Sequence, residues 1–190
     1  MPSRTAIIAD LRAQLARIAP MRTEATPAPT GVPALDAHIT GWPAPGVALI
    51  HGAVGSGRFS LILPTLQRHT AAGRCVAIID PMGWLHPPGL PGLNLQQLML
   101  VRCGSPQSGW AAVQLASSGA MPLVILLDPP PLRRDGLRLI RATESGQSTV
   151  IVLTERPDPQ LAAPIRLHCM GNRQVRVERG AAGQPVFFTG

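Results

Sequence analysis

From residue 47 onward the chain alternates between two hydrophobic periods. Short apolar runs recur at 47–51 "VALIH", 75–80 "CVAIID", 98–103 "LMLVRC", 123–128 "LVILLD" and 149–154 "TVIVLT". They lack the polar alternation of a half-exposed strand, so they predict strands buried on both faces, as in a parallel sheet covered by helices. The segments 59–72, 107–120 and 132–145 between them are long enough for crossover helices. The fold class predicted is α/β, with a mostly parallel central sheet flanked by helices.

The pattern changes after Glu155. "IRLHCM" and "QVRVER", followed by "GAAGQPVFF", read as short strands, the last two joined by a Gly-rich turn into an antiparallel C-terminal hairpin. The stretch 81–94, dense in Pro and Gly, predicts an irregular surface loop. At the other end, "TAIIADLRAQLARI" at 5–18 places Ile7, Ile8, Leu11, Leu15 and Ile18 on one stripe of an amphipathic helix. We therefore expect a helix over 1–19, a Pro- and Thr-rich linker over 20–29 and one core domain over 30–190. Ile7, Leu11, Leu15 and Ile18 are the candidate partner-binding residues.

Composition changes this picture little. The net charge of +7 suggests a polyanionic partner. All 17 basic residues are arginine, which reads first as base composition and alternatively as selection for bidentate phosphate contacts. Cys75, Cys103 and Cys169 are widely spaced and read as reduced thiols. Neither a leader-like apolar run nor a membrane span is evident, so a cytoplasmic location is expected.

The candidate chemistry lies at "ALIHGAVGSGRFSL", 48–61. A phosphate-binding loop needs G-x-x-x-x-G-K-S/T between a buried strand and a helix: backbone N–H groups curl around phosphate, lysine reaches the terminal phosphates and the hydroxyl ligates Mg²⁺. Gly52 and Gly57 have the right separation and Gly55 lies between them, but Arg58 stands at the lysine position and Phe59 at the hydroxyl position. An aromatic ring cannot coordinate Mg²⁺. Asp128, ending an apolar strand, resembles the metal-orienting carboxylate of such sites. Gly52, Gly55, Gly57, Arg58 and Asp128 form a vestigial nucleotide-binding set, alongside the plainer reading of a Gly-rich strand-to-helix turn.

Together these residues resemble the RecA ATPase core over roughly 30–190. "TGVPALDAHITGWPAPGVALIHGAVGSG" is similar to its leading segment, with Thr30, Gly31, Leu35, Asp36 and Gly46 in the corresponding places, and "GLNLQQLMLVRCGSPQSGWAAVQLASSGAMPLVILLD" to its next two strands and helix. The resemblance also exposes losses. Met82 stands where RecA has the glutamate that activates water, Glu155 aligns with the nucleotide-sensing glutamine, where a carboxylate would repel a γ-phosphate, and both DNA-binding loops are cut short. Among RecA relatives the chain most resembles the ImuA (SulA-like) proteins, partly through "LRAQLARI". That resemblance implies a noncatalytic accessory protein of the SOS response and translesion DNA synthesis, binding RecA or translesion polymerase components, with no cofactor.

Two other readings stay open: a weak ATPase in which Arg58 replaces lysine, and a DNA-binding module. For the latter, Arg133, Arg134, Arg138 and Arg141 form a basic stripe, which reads equally as a solvated helix face. The five histidines show no metal-ligand spacing. Trp84 is expected to be a local packing anchor, Trp110 a core residue, and Trp42 a turn residue.

Overall fold

The computed structural model describes residues 27–180 and 186–187. Its strands are β1 (Gly46–His51), β2 (Val76–Ile79), β3 (Leu98–Val101), β4 (Leu123–Leu127), β5 (Thr149–Thr154), β6 (Ile165–Gly171), β7 (Gln174–Arg179) and β8 (Val186–Phe187). The helices are α1 (Pro33–Asp36), α2 (Arg58–Ala71), α3 (Ser108–Ser117) and α4 (Arg133–Gly146). The strands form one sheet in the order β3-β2-β4-β5-β1-β6-β7-β8. All pairings from β3 through β6 are parallel, and β7 and β8 add antiparallel strands.

The unbroken apolar strands are explained by two cores. On one face Ala48, Ile50, Ile78, Ile125 and Ile151 pack with Leu61, Ile62 and Leu66 of α2. On the other, Val47, Leu49, Val124 and Val150 pack with Ala112 and Ala116 of α3 and Leu139 of α4. Each large side chain so buried contributes roughly 1.5–3 kcal/mol relative to exposure. Because the chain passes from β1 over β5 and β4 to β2, the strand order reverses beside β1. An open sheet binds ligands at the carboxyl edge of such a reversal.

The tight turn comes one strand earlier than the sequence predicts. It joins β6 to β7 at Asn172 and Arg173, whose φ values of +50° and +59° are those of a two-residue hairpin turn, with Asn suited to the left-handed region. β8 then pairs antiparallel with β7, as expected. In β6 and β7 one face is buried, with Leu167, Cys169, Val175 and Val177, while the other carries Arg166, His168, Met170, Arg176 and Glu178 and is more exposed.

The leading segment is tied down by side chains. The Asp36 carboxylate accepts the backbone N–H groups of Thr30 and Gly31 at 2.7 and 3.3 Å. Trp42, expected in a turn, is fully buried. Its indole Nε1 donates to the Thr65 hydroxyl at 2.8 Å, and that hydroxyl donates to the Thr30 carbonyl at 2.6 Å, so no polar atom of this contact is stranded. Backbone pairing starts at Ala28, which bridges Trp42. The predicted helix, with Ile7, Leu11, Leu15 and Ile18, lies outside the described residues. No described helix is long and apolar enough to cross a membrane.

Candidate functional site

The loop 52–57 leaves β1 at the carboxyl edge of the sheet and enters α2. Gly52 has φ +150°, and a Cβ there would stand 2.2 Å from the Cys169 carbonyl oxygen of β6, so only glycine lets the loop start this close to the neighbouring strand. Gly57, at φ +93°, is the left-handed residue that begins α2. The Ser56 hydroxyl oxygen is buried without a partner among the described residues. A curved backbone with an orphaned hydroxyl at a helix N-terminus suits a phosphate.

The carboxylate at the metal-orienting position is engaged by an arginine. Arg58 pairs with Asp128, which follows β4 on the far side of the intervening strand β5, Nη1 to Oδ1 at 2.6 Å and Nη2 to Oδ2 at 3.4 Å. Its side chain is 8% exposed and that of Asp128 23%. Both carboxylate oxygens therefore face a guanidinium, whose fixed charge repels a divalent cation and whose planar fork matches the carboxylate. Phe59 supplies no oxygen and instead packs partly against the α2-side core. Asp128 sits at φ +37°, a backbone conformation that Asp tolerates better than most residues. The structure thus brings together all five residues of the vestigial set, with the carboxylate committed to Arg58.

Beside the pair is a hollow of about 310 Å³ lined by Phe59, Met82, Trp84, Leu85, Leu127 and Leu153, with Asp80 and Ser60 at its polar side. Asp80 is 2% exposed and serves its own loop, accepting the N–H groups of Gly83 and Leu85 at 2.9 and 2.8 Å. Met82 is exposed at the rim. Trp84 is 62% exposed, which corrects its expected role as a packing anchor. Glu155 lines a neighbouring hollow of about 320 Å³ with Pro129–Pro131 and with Asp128, which also lines the first hollow.

The short connections after β4 and β5 are locked to each other. Asp158, buried, accepts the Leu132 N–H at 2.9 Å through Oδ2 and the Gln160 N–H at 2.9 Å through Oδ1. Arg133, Arg134, Arg138 and Arg141 are all exposed on α4, with Arg138 weakly paired to Asp135 at 3.4 Å. Trp110 is 59% exposed on α3 rather than in the core, because the Ala positions of that helix take the buried face. Burial holds the Cys169 thiol at about 12, against a smaller opposing pull from Arg58, so it is an inert core residue.

No family model matches the chain, and no curated protein matches it. Solved structures do. The chain is similar to the RadB recombinase, with a TM-score of 0.66 at 18% identity over 82% of this chain and 92% of that one. It is also similar to a KaiC-like protein from the hyperthermophilic archaeon Pyrococcus horikoshii OT3, with a TM-score of 0.64 at 12% identity over 87% of this chain and 100% of that one. These likenesses show the fold: a RecA-like P-loop core.

Proposed function

We propose that this chain is a noncatalytic RecA-like accessory protein that works through its surfaces in the SOS response and translesion DNA synthesis, binding RecA or translesion polymerase components. The observation that carries the noncatalytic part is the Arg58–Asp128 pair at 2.6 Å: the carboxylate that would hold Mg²⁺ is neutralised by the residue that replaces the phosphate-binding lysine. Phe59 and Met82 remove the hydroxyl ligand and the general base from the places that the RecA resemblance assigns them. The likeness to a recombinase supports a DNA-repair setting, and the RecA-like core supports RecA itself as a partner through a related surface. The exposed arginines of α4 support a subsidiary contact with phosphate backbones.

The test of partnership is a nuclease-treated pull-down with purified RecA and with translesion polymerase components, comparing the full chain with one lacking residues 1–29. Retention of RecA or a polymerase component by the full chain, reduced by the deletion, is the expected result. Failure to retain any of them would refute the partnership while leaving the loop chemistry to its own test.

A further inference from the structure

Three strands bring together a cluster that the loop chemistry does not use. His51 ends β1, His168 is its register partner on β6, and Glu178 lies on β7. The alternation of β6 and β7 places His168 and Glu178 opposite the buried Leu167, Cys169, Val175 and Val177, and His51 continues the Val47–Leu49 face of β1, so all three side chains share one face. The His51 and His168 rings stack with centroids 4.5 Å apart and planes 12° apart. His51 Nε2 lies 3.0 Å from Glu178 Oε2. One donor atom from each residue falls within 4.8 Å of the others.

We propose that His51, His168 and Glu178 form a binding site for a borderline divalent transition-metal ion of the Zn²⁺ class. Two imidazoles and one carboxylate are the donor set such ions prefer, whereas Mg²⁺ and Ca²⁺ prefer oxygen alone. With metal–ligand bonds of about 2.0–2.2 Å, a tetrahedral ion needs donors roughly 3.3 Å apart. The His51–Glu178 pair already meets that spacing, and His51 is buried and held in place. His168 is half-buried, no hydrogen bond among the described residues holds its ring, and one of its nitrogens already lies within 4.8 Å of the other two donors. The fourth position is left to water. Arg176 is the cross-strand partner of His168 and is exposed; its charge opposes the ion and limits affinity.

An ion here would fasten β7 to β1 across β6. His51 immediately precedes Gly52, and the Cys169 carbonyl lies against that glycine, so the metal would brace the base of the phosphate loop from behind. This inference is independent of the proposed partners. In sequence His51 and Glu178 are 127 residues apart, and no local spacing marks them; only the strand register does.

The test titrates Zn²⁺ into the full chain by calorimetry and records the visible spectrum with Co²⁺. We expect one equivalent bound, a tetrahedral Co²⁺ spectrum and a Zn²⁺-dependent rise in melting temperature. His168→Asn and Glu178→Gln, both at sites open enough to leave folding intact, should each weaken binding roughly tenfold or more and abolish the rise, while Arg176→Gln should tighten binding. Absence of stoichiometric binding, or binding unchanged in both His168→Asn and Glu178→Gln, would overturn the proposal; the latter would place the ion on other histidines.

Discussion

Arg58 stands at the lysine position of the phosphate loop and is held in an ion pair with Asp128. With its side chain 8% exposed, its charge is tolerable only because Asp128 answers it, and removing one member of such a pair costs more than the pair itself contributes. We therefore expect Asp128→Asn, which keeps the residue's tolerance for positive φ, to lower stability by about 3 kcal/mol in urea unfolding. The double variant Arg58→Met/Asp128→Asn, which also keeps a residue suited to positive φ and removes the stranded guanidinium, should recover much of that loss; equal losses in the single and double variants would show that the pair is not what matters. The substitutions at 58 and 59 were plain in the sequence, because a motif with fixed spacing makes a missing lysine and hydroxyl conspicuous. Their consequence was not. Arg58 and Asp128 are 70 residues apart, and only the sheet order, with β5 between their strands, brings them face to face.

At the scale of elements, α2 carries a second buried ionisable group. His69 lies in its last turn, where a helix end ordinarily favours the protonated ring. Here burial, aided by the charges of Arg68 and Arg74, holds it down at about 4, and its Nδ1 is enclosed without a partner among the described residues. The unfolded chain, with His69 near 6.5, binds the proton first as pH falls. The stability that this neutral ring contributes is complete above pH 6.5 and lost as pH drops toward 4. Allowing for solvent screening of the exposed arginines, the loss should reach about 2 kcal/mol near pH 4. Urea midpoints measured between pH 4 and 7 should show this slope in the wild type and a shallower one in His69→Leu; identical slopes would contradict the assignment. The apolar strands β1, β2, β4 and β5 were legible because burial on both faces leaves no alternation to misread, whereas β3, at the sheet edge with Met99 41% exposed, is only partly buried. The tight turn was not legible, since Asn172-Arg173 lacks the glycine that usually announces one, whereas the later "GAAGQ" has two. Trp110 was misplaced for a related reason: on a helix buried mainly through alanines, a tryptophan looks like core until the register shows it on the outer side.

For the whole molecule, the alternation of strands and helices predicted an α/β fold with a mostly parallel sheet, the resemblance of the motifs implied a RecA-like core, and the sheet order with its similarity to solved recombinase and KaiC-like structures agrees with both. What the linear pattern could not convey is how side chains from remote strands converge: the arginine–aspartate pair, the histidine–glutamate cluster and the Asp158 lock all depend on register. The arginine–aspartate pair and the Asp158 contacts follow strands β4 and β5 at the carboxyl edge of the sheet, and His51 ends β1 at that same edge. The charge of +7 belongs to this scale too, favouring encounter with polyanions at low salt without assigning one.

The central claim is that the cradle survives while the magnesium position has been closed by a guanidinium. Its most direct test is multiple-turnover phosphate release by the purified full chain in saturating Mg-ATP, run beside Arg58→Ala. The account predicts no release above buffer for either protein. Sustained turnover by the wild type that disappears in Arg58→Ala would contradict it.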